Sequence, residues 1–163
     1  MSCRIVEVLH EDHVATAAFV DRLAKATAGP ERPRSAEDPA IARVLRDAAS
    51  ALGEELGRHF DFEERPLFER LADDGEQEIV AQLLAEHDAI RPLAATLAAL
   101  GRAAQANGFT EPSWAEYRTV AAQLCAALRA HVEIEEQMLL PLLEGSLDAE
   151  TDARLQAEYA GNL

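Results

Sequence analysis

Lysine is almost missing from this chain: Lys25 is the only one in 163 residues. The other cations are arginine, and against 30 Asp and Glu they leave a formal net charge of −15. A duplex presents dense phosphate charge, so a surface of this sign is repelled from nucleic acid rather than steered to it. Aromatic residues make up only 5%, while alanine and leucine are heavy. That balance favours helix and offers strands little to pack with. Arginine used in place of lysine also fits a GC-rich bacterial gene.

Cysteine is scarce too. Cys3 and Cys125 stand outside any CxxC motif, and two thiols cannot build a disulfide framework for a chain of this size. Reduced thiols in the cytoplasm are the expectation. No uninterrupted apolar run approaches the roughly 20 residues needed to cross a bilayer, and no basic segment precedes an apolar one at the start. The expected protein is soluble and cytoplasmic, with no membrane contact.

The remaining composition, 48% apolar and 28% charged, is ordinary for a globular chain, and its length suits one core. A single domain over residues 1–163 is expected. Four long segments show helical periodicity. The first, from Ser2 (a potential cap) to Thr27, places Ile5, Val6, Leu9, His13, Ala17, Val20 and Ala24 on one face. A polar, proline-rich loop from Gly29 to Pro39 follows. The second segment, Ala40 to Leu71, aligns Leu45, Leu52, Leu56, His59, Glu63 and Leu67. Pro66 lies within it and removes an amide donor, predicting a kink or local loosening.

The third segment, Glu76 to Ala106, turns Val80, Leu83, His87, Ile90, Ala94 and Leu97 inward and stops at Asn107-Gly108. Ser113-Trp114-Ala115-Glu116 has the form of a capping box opening the fourth, which runs to Glu144. Leu124, Leu128, His131, Glu135, Met138 and Leu142 mark its inward face, and Pro141 sits in its last turns. Asp148 to Tyr159 reads as a short extra helix. The fold class expected is all-α: an up-and-down antiparallel four-helix bundle with a short C-terminal helix.

All five histidines, His10, His13, His59, His87 and His131, fall on or near these inward stripes. Two helices repeat a phrase, HFDFEERPLF at 59–68 and HVEIEEQMLL at 131–140. In each, histidine and glutamate stand four residues apart, one helical turn, and project from the same face. The other two helices carry EDH ending at His13 and AEH ending at His87. The chain thus reads as two related helix pairs. A lone histidine on an apolar face is commonly a hydrogen-bonded core residue. Buried carboxylates at Glu63 and Glu135, however, would be costly without a compensating charge. Imidazole with carboxylate suits iron, manganese or zinc, and the missing thiolates argue against a structural zinc or iron–sulfur site.

The order His, HxxxE, His, HxxxE along four helices resembles the hemerythrin-like HHE cation-binding family, from about residue 5 to residue 144. Ferritin-like bundles instead carry paired ExxH motifs, and the only ExxH here is Glu7–His10. The resemblance implies two iron ions with an oxo or hydroxo third bridge. It places His13 and His59 on one iron, His87 and His131 on the other, and Glu63 and Glu135 as bridges. It also shows two departures. Oxygen-carrying members have a further histidine where Leu83 stands, and they space the last carboxylate five residues after its histidine. Both Glu135 and Glu136 are present here, and the symmetry with Glu63 selects Glu135. Glu64 and Glu136 are then expected in an outer shell or at the surface. His10 could reach the first iron, hydrogen-bond a ligand, or face solvent.

The function this implies is binding of O2, nitric oxide or peroxide at a non-haem di-iron site, in sensing or stress handling. A di-iron peroxidase or oxidase comes second, and an iron sensor acting through a partner protein third. The redox partner is not indicated by the sequence.

Overall fold

The computed structural model describes residues 3–29, 33 and 35–161. The expected cap at Ser2 and part of the 29–39 loop lie outside these residues. The described chain is helical throughout, with no strand among the described residues. We label its helices α1 (Arg4–Thr27), α2 (39–73), α3 (Gln77–Asn107), α4 (111–146) and α5 (Ala149–Gly161). Among the described residues, no helix is long and apolar enough to cross a membrane.

Side-chain contacts show how the helices run. Between α1 and α4, Thr27 meets Arg118, Val20 meets Cys125 and His13 meets Glu136, so numbering falls on one helix as it rises on the other. Arg22–Asp47 and Asp12–His59 give the same opposite sense for α1 and α2. The pairs Glu86–His131 and Gly101–Tyr117 do so for α3 and α4. Asp61–Arg91 and Glu64–His87 do so for α2 and α3, so each of the four long helices lies antiparallel to its chain neighbour, in keeping with short connections.

The ends of the helices follow from local chemistry, with two corrections. Asp38 caps α2 by accepting from the amides of Ala40 and Ile41, ahead of Pro39 at the first turn. Helix α3 stops at Gly108, whose φ of +74° is open to glycine. The capping box of α4 lies earlier than Ser113–Glu116 suggested: Thr110 is the cap and Ser113 its reciprocal partner. Serine has a hydroxyl that can accept from the cap amide, so the motif does not need a glutamate there. Cys3 precedes α1 without a side-chain cap of its own. Asp152 of α5 supplies one, accepting from the amides of Arg4 and Ile5 and from the Cys3 thiol.

Three wide π turns interrupt the long helices, at Ala51–Glu55, Glu63–Leu67 and Glu135–Leu139. In the last two, the amides of Phe68 and Leu140 reach back five residues to the carbonyls of Glu63 and Glu135. The loosening expected at Pro66 takes this form. An inserted residue also shifts the helix face. Beyond Glu135 the core therefore takes Leu139 and Leu143, whereas Met138 is 49% exposed and Leu142 only half-buried, contrary to plain periodicity. On α1, Ala17 is exposed as well, and Phe19 and Leu23 fill the core beside Val20.

Two apolar clusters divide the bundle interior. One gathers Phe19, Leu23, Leu45, Leu97, Trp114 and Leu124; the other gathers Ile5, Leu9, Phe62, Leu83, Leu139 and Leu143. Along every bundle helix a buried histidine falls where one cluster gives way to the other. A polar layer thus crosses the middle of the core.

Candidate metal centre

The polar layer contains His13, His59, Glu63, His87, His131 and Glu135, all buried, with both glutamates fully so. On α2 and α4 the four-residue spacing stacks His59 over Glu63 and His131 over Glu135. Each carboxylate divides its oxygens between two helices. Glu63 Oε1 lies 3.2 Å from His59 Nε2 and its Oε2 lies 3.4 Å from His87 Nε2. Glu135 Oε2 lies 3.0 Å from His13 Nε2 and its Oε1 lies 3.2 Å from His131 Nε2. The result is two overlapping groups, His13–His59–Glu63–Glu135 and Glu63–His87–His131–Glu135. Within each, donor atoms all lie within 4.8 Å of one another.

The outer nitrogen of every one of these histidines meets a carboxylate. His59 Nδ1 lies 3.2 Å from Asp12, His87 Nδ1 2.8 Å from Glu64, His131 Nδ1 2.9 Å from Glu86 and His13 Nδ1 2.6 Å from Glu136. The four contacts form a ring around the bundle: the acid on each helix serves the histidine of the next, and α4 returns to α1. An ionised carboxylate only accepts, so each Nδ1 donates and the Nε2 of each ring is the atom turned inward. Asp12 and Glu86 were not singled out in the sequence, although both stand immediately before a cluster histidine, in EDH and AEH. Glu64 and Glu136, expected in an outer shell or at the surface, lie partly buried against the Nδ1 atoms of His87 and His13.

These acids are themselves held. Arg91 donates to Glu64 at 2.8 Å, Gln82 to Glu86 at 3.0 Å, and His10 Nδ1 lies 3.0 Å from both oxygens of Glu136. His10 is 57% exposed and contributes no atom to either donor group. Of the three places open to it in the sequence, the structure puts it at the surface against Glu136.

Apolar side chains cover the His87 side of the layer. The Phe60 ring stacks on His87 with centroids 3.7 Å apart, and Phe68 covers the same imidazole at 5.6 Å. Leu83, one turn before His87, is fully buried. Cys125 packs against the Val20 carbonyl and Cys3 against Asp152, neither in the cluster.

Five buried atoms have no hydrogen-bond partner here: His13 Nε2 and all four oxygens of Glu63 and Glu135. Buried polar atoms are almost always satisfied, so five converging on one space require a partner of another kind. Nitrogen and carboxylate donors of this number fit divalent cations of the iron, manganese or zinc type. The electrostatics agree. Burial opposes a charge on His59, yet the charge of the adjacent Glu63 carboxylate and the hydrogen bond His59 donates to Asp12 raise its pKa well above the usual imidazole range. His13 is raised too: burial opposes its charge, and Glu135 outweighs that. Burial opposes the charge on Glu63, yet the nearby His59 and His87 imidazoles hold it far below the usual carboxylate range. Glu135 is raised by burial and by the neighbouring charge of Glu63. The two carboxylates thus favour positive charge on the side of the layer that His13 and His59 line.

A family model for the hemerythrin HHE cation binding domain matches residues 4–143. No curated protein matches the chain.

Proposed function

Since this chain belongs to the hemerythrin HHE cation-binding family, we propose that its buried polar layer holds two iron ions and that the loaded centre binds O2 or another small reactive molecule, nitric oxide or peroxide, in sensing or stress handling. His13 and His59 would hold one ion, His87 and His131 the other, with Glu63 and Glu135 shared between them. The observation that carries this reading is the set of four unpartnered carboxylate oxygens facing four Nε2 atoms inside the buried core. Bound iron would supply reversible one-electron chemistry and coordination positions for a diatomic.

The chain's own residues support the remainder. The Nδ1 carboxylates fix each imidazole in the tautomer that ligates. Phe60, Phe68 and Leu83 keep bulk water from the layer, which suits a small apolar ligand. Leu83 occupies a position one turn from His87 where a further nitrogen donor could stand, so six side chains serve two ions and leave room for a ligand. Anaerobic reconstitution with ferrous iron followed by exposure to air tests the reading. The expected result is about two irons per chain with near-ultraviolet charge-transfer bands. Stopped-flow mixing with O2, nitric oxide and peroxide then ranks the ligands.

A further inference from the structure

Three of the four acids that orient the cluster histidines are held by residues of α1 and α3: Glu136 by His10, Glu86 by Gln82 and Glu64 by Arg91. The fourth is different. Asp12, at the Nδ1 of His59, accepts from the hydroxyl of Tyr159 through the same oxygen. Tyr159 belongs to α5, which lies wholly beyond residue 143, where the family match ends.

Asp12 is also the acid that most needs a second anchor. It is the shortest of the four, its side chain is the most exposed at 38%, and its 3.2 Å contact with histidine is the longest. Tyr159 is well fixed to supply one. It is buried, its ring meets the edge of Phe62 at 4.8 Å, and the Arg58 guanidinium lies 6.0 Å from its centroid. Earlier in the same helix, Asp152 ties α5 to the first turn of α1. Helix α5 is thus attached near both of its ends, and its second attachment runs through Asp12 to a cluster histidine.

We propose that the C-terminal helix latches one of the two cation positions: the Tyr159 hydroxyl, by holding Asp12, orients His59 and leaves the His87–His131 position untouched. Tyr159 is a positioning residue here, acting through Asp12. The consequence for metal rests on the two-cation reading above. The chain of hydrogen bonds does not, because it is made wholly of this chain's own side chains.

The test compares full-length wild type with Tyr159→Phe, which keeps the ring against Phe62, and with Asp12→Asn, which keeps the fold's shape should the first variant misfold. In the metal-free proteins, nitrogen NMR of the imidazoles should show the His59 signals displaced and those of His87 and His131 unmoved. In anaerobic titration with ferrous ion, one position should weaken by about tenfold, the low end for loss of an outer-shell partner, and the other by no more than about twofold. Arg91→Ala should weaken the opposite position. Unmoved His59 signals in Tyr159→Phe overturn the latch, as does equal weakening at both positions. Fewer than two ions bound by wild type would overturn the two-iron reading instead, and the imidazole signals alone would then decide the latch.

Discussion

Glu63 and Glu135 face each other across the bundle with all four carboxylate oxygens buried and none hydrogen-bonded. Each points one oxygen at either histidine pair, so a bound pair of ions would share both carboxylates. Burying carboxylates in this way is costly unless a positive charge compensates. Glu135 has a folded pKa raised by burial and by Glu63. Its contribution to stability is therefore present at low pH and lost as pH rises toward that folded value. Glu135→Gln removes the loss. In chelator, the variant should be more stable than wild type by about 1–3 kcal/mol at neutral pH, with the gap narrowing in acid. With iron present the order should reverse, because the variant lacks a shared carboxylate. Thermal melts across pH, with and without metal, measure both.

Glu86 touches no cation in this account, yet it fixes His131. Glu86→Ala should lower metal affinity by about 10–100-fold while leaving the helical content unchanged. Calorimetric titration with ferrous ion measures it, and an unaltered affinity would remove the ring of acids from the account.

The wide turn that begins at Glu135 invites a deletion. Without Met138, an exposed residue inside that turn, the helix can return to regular geometry. Leu139 and Leu143 then fall on the face that plain periodicity predicts. We expect the deleted chain to stay helical and to lose iron, because the turn sets how Glu135 meets the later core. Circular dichroism and iron analysis on the same sample test this.

That turn also marks where the sequence stops being readable. Leu45, Leu52, Leu56, Leu83, Leu97 and Leu128 are buried as a 3.6-residue period requires. The period fails at Met138, since nothing in EEQML demands a wider turn; only Pro66, in the related EERPL, hints at one. The convergence of His13, His59, Glu63, His87, His131 and Glu135 on one layer is anticipated by their matched heights on four stripes. The ring of acids is anticipated only at Glu64 and Glu136, because each acid serves a histidine on another helix. Viewed along its own helix, Asp12 or Glu86 resembles any solvated charge. Tyr159 is harder still, its role depending on how α5 lies against α1.

Asp152 joins the same two helices at the far end. Asp152→Ala should cost about 1 kcal/mol of stability, the usual value of an N-cap, by denaturant unfolding of the metal-free protein. It should also change Cys3. That thiol is pushed up to about 11 by burial and by the Asp152 carboxylate, so native protein should alkylate slowly at neutral pH. The variant should react faster, as read by mass spectrometry of the labelled peptide.

The most direct measurement is iron content after anaerobic loading, paired with a thermal melt in chelator. The account predicts about two irons per chain, a higher melting temperature when loaded, and loss of both in Glu63→Ala. A chain that takes up no iron and melts identically with and without chelator would contradict it.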